Sequence, residues 1–201
     1  MILAVALTGG LATGKSFVGK VFEELGCHRL EADQLGHQAL EPAGEAYEAV
    51  VNLFGPGILD ANGTIDRRRL GALVFPNPAR LEQLNAIVHP AVERLRQSRI
   101  AEIAKTEPNA IVICEAAIYI ETGATGRFDK VVLTVCGREL QIERAMARES
   151  GWTRLETEAR LARQWPDDRK RIAADFIIDT SNSMEDTRRQ TIEVYNRLRG
   201  L

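Results

Sequence analysis

The chain has 201 residues, of which 45% are hydrophobic and 27% charged, and a formal net charge of -2. That length supports one sizeable core with appended lobes, and the near-neutral balance argues against a nucleic-acid partner, which calls for a broadly basic face. Three cysteines, Cys27, Cys114 and Cys136, are too few and too scattered for a disulfide framework or a zinc site and read as buried thiols. The apolar stretch at the start is too short for a membrane span and lacks a basic leader. A cytoplasmic protein without a membrane partner is therefore expected.

Residues 2–7 form a continuous apolar run and predict a buried strand. After a glycine-rich turn, helical spacing from 15 to about 25 predicts a short helix stopped by Gly26. Residues 28–32 mark a weaker strand. About eighty residues then pass before the next strong strand. They hold the turn signals Phe54-Gly55-Pro56-Gly57 and Asp60-Ala61-Asn62-Gly63. They also hold helical pieces near 79–88 and 90–105, with Pro90 suited to the first turn of the second. This stretch reads as a helical insertion beside a sheet. Strands are predicted at 111–114 and 130–135. An arginine-rich excursion from Arg138 to about Lys170 follows, with a helix over 140–149 stopped by Gly151. Thr153-Arg154-Leu155-Glu156 is a capping box that starts another helix, ending by Pro166. Such a segment suits a mobile flap. The last predicted strand covers 176–179. Apolar strands without alternation suit a parallel sheet covered on both faces, so the chain reads as α/β.

The most informative segment is Gly9-Gly10-Leu11-Ala12-Thr13-Gly14-Lys15-Ser16, which matches G-x-x-x-x-G-K-[ST] between a strand and a helix. Glycines let the backbone bend around phosphate oxygens. Successive N–H groups and the helix N-terminus then favour an anion. Lys15 is expected to reach the β- and γ-phosphates of ATP, and Ser16 to offer its hydroxyl to Mg²⁺. Phe17 follows, with a backbone N–H available to the same cradle.

This P-loop does not choose between a kinase, a GTP switch and a motor. The chain has no N-K-x-D for guanine, and the strand over 111–114 ends in a single acid, Glu115. Short length and a late arginine-rich segment favour a small-molecule kinase. Asp33 follows the second strand, where a carboxylate faces the nucleotide crevice of such folds. It is a candidate base for an acceptor hydroxyl, or simply a helix N-cap.

Taken in order, further segments resemble the dephospho-coenzyme A kinase family over nearly the whole chain. They are Ala6-Leu7-Thr8-Gly9-Gly10, Leu25-Gly26, Ala32-Asp33, Phe54-Gly55, Gly63-Thr64-Ile65-Asp66-Arg67, Leu70 and His89-Pro90. Glu121-Thr122-Gly123, Gln141 with Arg144, Arg160 with Gln164, and Ala174-Asp175 complete the set. The resemblance implies a P-loop NTPase core with a parallel sheet covered by helices, a helical acceptor-binding insertion and a helical lid. In one kinase domain these would cover about 1–33, 108–137 and 172–201 for the core, 34–107 for the acceptor part and 138–171 for the lid. It implies ATP-dependent phosphorylation of the ribose 3′-hydroxyl of dephospho-CoA to CoA, the last step of CoA biosynthesis. A nucleoside or nucleotide kinase, or a regulator that binds nucleotide without catalysis, are the rival readings.

By the same resemblance Asp33 is the base and Arg144 the lid arginine that steadies the transferring group, with Lys15 in the cradle. Arg148 shares a helix face with Arg144 or simply meets solvent. His89 contacts the acceptor or marks a helix boundary. Arg67, within Arg67-Arg68-Arg69, meets the acceptor's phosphates or lies in a solvated turn. Arg160 and Gln164 close the lid on ATP or hold the lid together. Four positions depart from the pattern. Glu31-Ala32-Asp33 stands for the usual Asp-Ala-Asp, Glu115-Ala116-Ala117 for Asp-x-Pro, Phe17 for a serine or threonine, and Asp179-Thr180 stands near where an asparagine is common in adenine-side loops. Glu115 is a candidate partner of metal-bound water.

Overall fold

The computed structural model describes residues 1–148 and 151–201. The chain divides into two compact units, residues 1–30 with 104–201, and residues 31–103.

The larger unit is built on five strands, β1 (Leu3–Gly9), β2 (His28–Glu31), β3 (Ile111–Glu115), β4 (Lys130–Val135) and β5 (Phe176–Asp179), in the order β2-β3-β1-β4-β5. β3, β1, β4 and β5 pair in parallel. Residues alternate between the faces of a strand, so the central strands bury both sets. Val5, Leu7, Ile113 and Val132 join Val18 and Phe22 of α1 (Lys15–Glu24) and Val194 and Leu198 of the long C-terminal helix (Met184–Arg199) in one cluster. Ala6, Val131, Leu133 and Val135 join Ile120 and part of Trp165 in another. β5 differs from the continuous burial expected of it. It is an edge strand, and the exposed Ile177 and Asp179 alternate with the buried Phe176 and Ile178. All three cysteines are buried and none is in a disulfide, and burial pushes the Cys27 thiol up to about 12.

Two aspartates tie loops to the strand ends. Asp129 accepts from the Ala4 N–H at 2.7 Å, and Asp175 accepts from the Val131 N–H at 2.8 Å. Between β4 and β5 lie α6 (Arg138–Arg148), α7 (Arg154–Leu161) and α8 (Asp167–Arg171). The far end of the expected 140–149 helix, Glu149, lies outside the described residues. α7 starts on the capping box read from the sequence, with Thr153 and Glu156 bonding reciprocally. α8 was not expected. Its Lys170 is 1% exposed and pairs with Glu121 at 2.9 Å.

The smaller unit holds α2 (Ala32–Ala39), α3 (Tyr47–Phe54), α4 (Arg67–Val74) and most of α5 (Pro78–Thr106) around Val50, Ile58, Ile65, Leu70 and Val74. The two helical pieces expected over 79–88 and 90–105 are one helix, with Pro90 inside it. An interior proline forfeits one backbone hydrogen bond and costs about 3 kcal/mol. Leu81, Leu84, Val88, Ala91 and Val92 form an apolar stripe on both sides of Pro90 and pack on the same core. That shared packing keeps the helix continuous. The turn at Asp60 is as expected: its carboxylate accepts from the N–H groups of Asn62 and Thr64 at 2.8 and 2.9 Å.

Candidate active site

β1 ends at Gly9 and α1 begins at Lys15, so the glycine-rich segment forms the strand-to-helix junction. Sheet register sets what surrounds it. Leu7 pairs with Glu115 at the end of β3, and Gly9 pairs with Thr134 of β4. A Cβ on Gly9 would stand 2.3 Å from Thr134 Oγ1 and 2.5 Å from its carbonyl oxygen. Gly9→Ala is thus expected to displace the start of the cradle and weaken ADP binding by at least about tenfold, since backbone here has no room to yield. Calorimetric titration of the variant with ADP checks this.

The cradle is braced by the fully buried Thr13. Its hydroxyl donates to the Gly10 carbonyl at 2.9 Å and shares a hydrogen bond with Thr134 Oγ1 at 2.8 Å. Ala12 takes φ 56° and Gly14 φ 80°. Left-handed residues next to right-handed ones turn successive N–H groups to one side, which is the geometry of an anion nest. Lys15 Nζ donates to the carbonyls of Gly9 and Gly10, both at 2.9 Å. The ammonium therefore already lies over the turn it is expected to serve. Phe17 N–H donates to the Gly14 carbonyl at 3.1 Å, so that amide is engaged in the first turn of α1.

Ser16 Oγ donates to Glu115 Oε1 at 3.0 Å. Arg29, on β2, donates to Glu115 Oε2 from Nε at 3.0 Å and Nη2 at 2.6 Å. No group of three or more His, Cys, Asp or Glu side chains suited to a metal occurs among the described residues. The oxygen pair of Ser16 and Glu115 still fits Mg²⁺, which takes few protein ligands and completes its shell with water and phosphate oxygens.

The segment after β4 reaches the cradle through three side chains. Gln164 Oε1 accepts from the Leu11 N–H at 2.8 Å. Gln141 Nε2 would lie 3.0 Å from a Cβ on Gly10. Arg144 donates from Nη1 to Thr180 Oγ1 at 3.0 Å and from Nη2 to the Thr180 carbonyl at 2.7 Å. Thr180 Oγ1 is 3.1 Å from the Thr13 carbonyl. Arg160 and Gln164, one turn apart, therefore do different things. Gln164 meets the cradle, whereas Arg160 stacks 3.8 Å over the Trp152 ring. Arg148 is exposed at the end of α6.

In the smaller unit Asp33 is exposed in the first turn of α2. The N-cap is Glu31, whose side chain makes no cap bond and accepts instead from Gln34 at 2.7 Å. Asp33 is thus not the N-cap. His89 is exposed within α5 rather than at a helix boundary. Arg67, Arg68 and Arg69 are not a turn but the exposed first turn of α4, capped by Asp66. Three cations at a helix N-terminus oppose the helix dipole, an arrangement that an anionic ligand would relieve. Arg67 Nη1 lies 3.5 Å from His37 Nδ1.

Arg29 and Thr134 are neighbours of the site that the sequence did not single out. The one sign of Arg29 was an arginine inside a short strand.

A parallel α/β sheet with this cradle at the end of its central strand defines a P-loop nucleotide-binding protein. A family model described as Dephospho-CoA kinase matches residues 3–186. A dephospho-CoA kinase of Geobacillus kaustophilus is 40% identical over 197 residues, covering 96% of each chain. Among solved structures, TT1252 from Thermus thermophilus superposes with a TM-score of 0.82 at 33% identity, covering 98% of this chain and 97% of that one. Dephospho-CoA kinase from Campylobacter jejuni gives 0.66 at 26% identity with the same coverage. The chain belongs to the dephospho-CoA kinase family, whose members are phosphotransferases. Among the described residues no helix is long and apolar enough to cross a membrane.

Proposed function

We propose that this chain carries out its family's reaction, transfer of the γ-phosphoryl group of ATP to the ribose 3′-hydroxyl of dephospho-CoA, through the residues described above. The observation that carries the reading is the braced cradle with Lys15 over it and Ser16 beside Glu115. Residues 9–16 hold the triphosphate, with Lys15 turning from its own loop's carbonyls to the β- and γ-phosphate oxygens. Ser16 and, through water, Glu115 would hold Mg²⁺. Bound there, the ion neutralises charge on the phosphate oxygens.

Asp33 accepts the proton of the 3′-hydroxyl as its oxygen forms a bond to the γ-phosphorus. The bond from that phosphorus to the β–γ bridging oxygen breaks, and ADP leaves. Arg144 stabilises the charge spread over the transferring group. Residues 34–107 take the acceptor, with Arg67 on its phosphates and His89 beside it. Residues 138–171 form the lid, which excludes water from the γ-phosphate. The work is CoA synthesis in the cytoplasm.

The test is a transfer assay with ATP, Mg²⁺ and a panel of acceptors. Dephospho-CoA is expected to be preferred over nucleosides and nucleotides. A preferred nucleoside acceptor would replace this reading with the nucleoside-kinase one, and ATP binding without any transfer would replace it with a regulator.

A further inference from the structure

We infer that Arg29 is a positioning residue for the metal side of the site, fixing the Glu115 carboxylate so that one oxygen is presented to Ser16. The inference rests on the proposed role of Ser16 and Glu115 toward Mg²⁺.

Arg29 and Glu115 are almost entirely withdrawn from water, with side-chain exposures of 8% and 9%. Burying two charges costs desolvation that their attraction roughly offsets, so such a pair adds little net stability. Its geometry is one-sided. Both hydrogen bonds from the guanidinium to this carboxylate go to Oε2, at 3.0 and 2.6 Å, while Oε1 accepts from Ser16 Oγ at 3.0 Å. A glutamate reaches its target through three side-chain torsions. Anchoring one oxygen on a planar fork removes most of that freedom. Arrangements of this kind, in which a second residue orients a metal-facing carboxylate, tune metal affinity.

The packing around the guanidinium makes the same point independently. Gly19 lies buried inside α1, where glycine costs about 1 kcal/mol relative to alanine. A Cβ there would stand 2.6 Å from Arg29 Nε and 2.9 Å from Glu115 Oε2. The helix keeps a residue that weakens it at the position where any side chain would push the guanidinium and carboxylate apart. Gly19, Arg29 and Glu115 therefore act as one unit, drawn from α1, β2 and β3.

The readout is the ratio of ADP affinities with and without Mg²⁺, measured by calorimetry on the full chain. A purely structural role would lower both affinities and leave the ratio unchanged. In Arg29→Met the carboxylate loses its anchor, and the ratio is expected to fall by about ten- to a hundredfold. Gly19→Ala removes no charge and favours helix, yet it is expected to lower the ratio in the same direction. The double variant is expected to be no worse than Arg29→Met, because the two changes break one unit. An unchanged ratio in folded Arg29→Met overturns the inference. Should that variant not fold, an unchanged ratio in Gly19→Ala overturns it instead. Wild-type protein that phosphorylates dephospho-CoA while the variants keep their ratio separates failure of this inference from failure of the functional reading. Absence of transfer by the wild type would strike the latter.

Discussion

Asp33→Asn is expected to lower phosphoryl transfer to dephospho-CoA by about 10²–10⁴-fold, the usual contribution of a general base. The substitution keeps the shape of the side chain and removes its ability to take the hydroxyl proton. Asp33 is exposed in the first turn of α2, and the capping position belongs to Glu31. Loss of the charge there should cost the fold less than about 1 kcal/mol, the scale of a charge–dipole interaction at an exposed helix end. Melting temperature and ADP affinity should therefore stay close to wild type while the turnover rate collapses. Turnover like that of the native protein would remove Asp33 from the mechanism. A melting temperature falling in step with turnover would instead make the residue structural.

Arg144→Met is expected to reduce transfer by about 10³-fold or more, as removal of an arginine that stabilises the transferring phosphoryl group does. The structure adds a second job to separate from the first. Arg144 holds both the hydroxyl and the carbonyl of Thr180, and the same hydroxyl lies against the Thr13 carbonyl in the cradle. Steady-state kinetics with ATP varied distinguish the two. Loss of charge stabilisation lowers kcat with KM for ATP nearly unchanged, whereas a slack cradle raises KM. Arg144→Lys keeps a charge but not the fork that reaches two atoms of Thr180. It should recover part of kcat if the charge matters and little if the brace matters.

How far these features could be read beforehand differs by element. Runs such as Ile111–Glu115 and Lys130–Val135 carry their own signal, because strands buried in a parallel sheet are apolar almost without interruption. The cradle is equally legible, since its glycines, Lys15 and Ser16 are fixed by local backbone chemistry. The single helix α5 was not, because the effect of Pro90 depends on an apolar stripe packed against residues from α3 and α4. β5 read as fully buried because its sequence does not say that it lies at the edge. The partnership of Arg29 with Glu115 joins residues 86 positions apart, and that of Lys170 with Glu121 has no local signature either. Pairing of this kind is a property of sheet order, which a reading of local patterns does not contain. The site residues themselves came from two sources: Lys15 and Ser16 from chemistry alone, Arg144 and His89 only through the family resemblance.

Ion pairs of the described residues between β4 and β5 stand in different dielectric surroundings. Arg154 bridges Glu139 and Glu158 across α6 and α7 in the open, whereas Lys170 meets Glu121 with almost no water around it. At 0.1 M salt the screening length is about 10 Å, and exposed pairs weaken first as salt is added while buried ones hardly respond. Ionic strength thus acts on one end of this segment and not on the other. Added salt should therefore weaken the Arg154 pairs, each worth little in the open, and leave the pair of Lys170 with Glu121 nearly untouched.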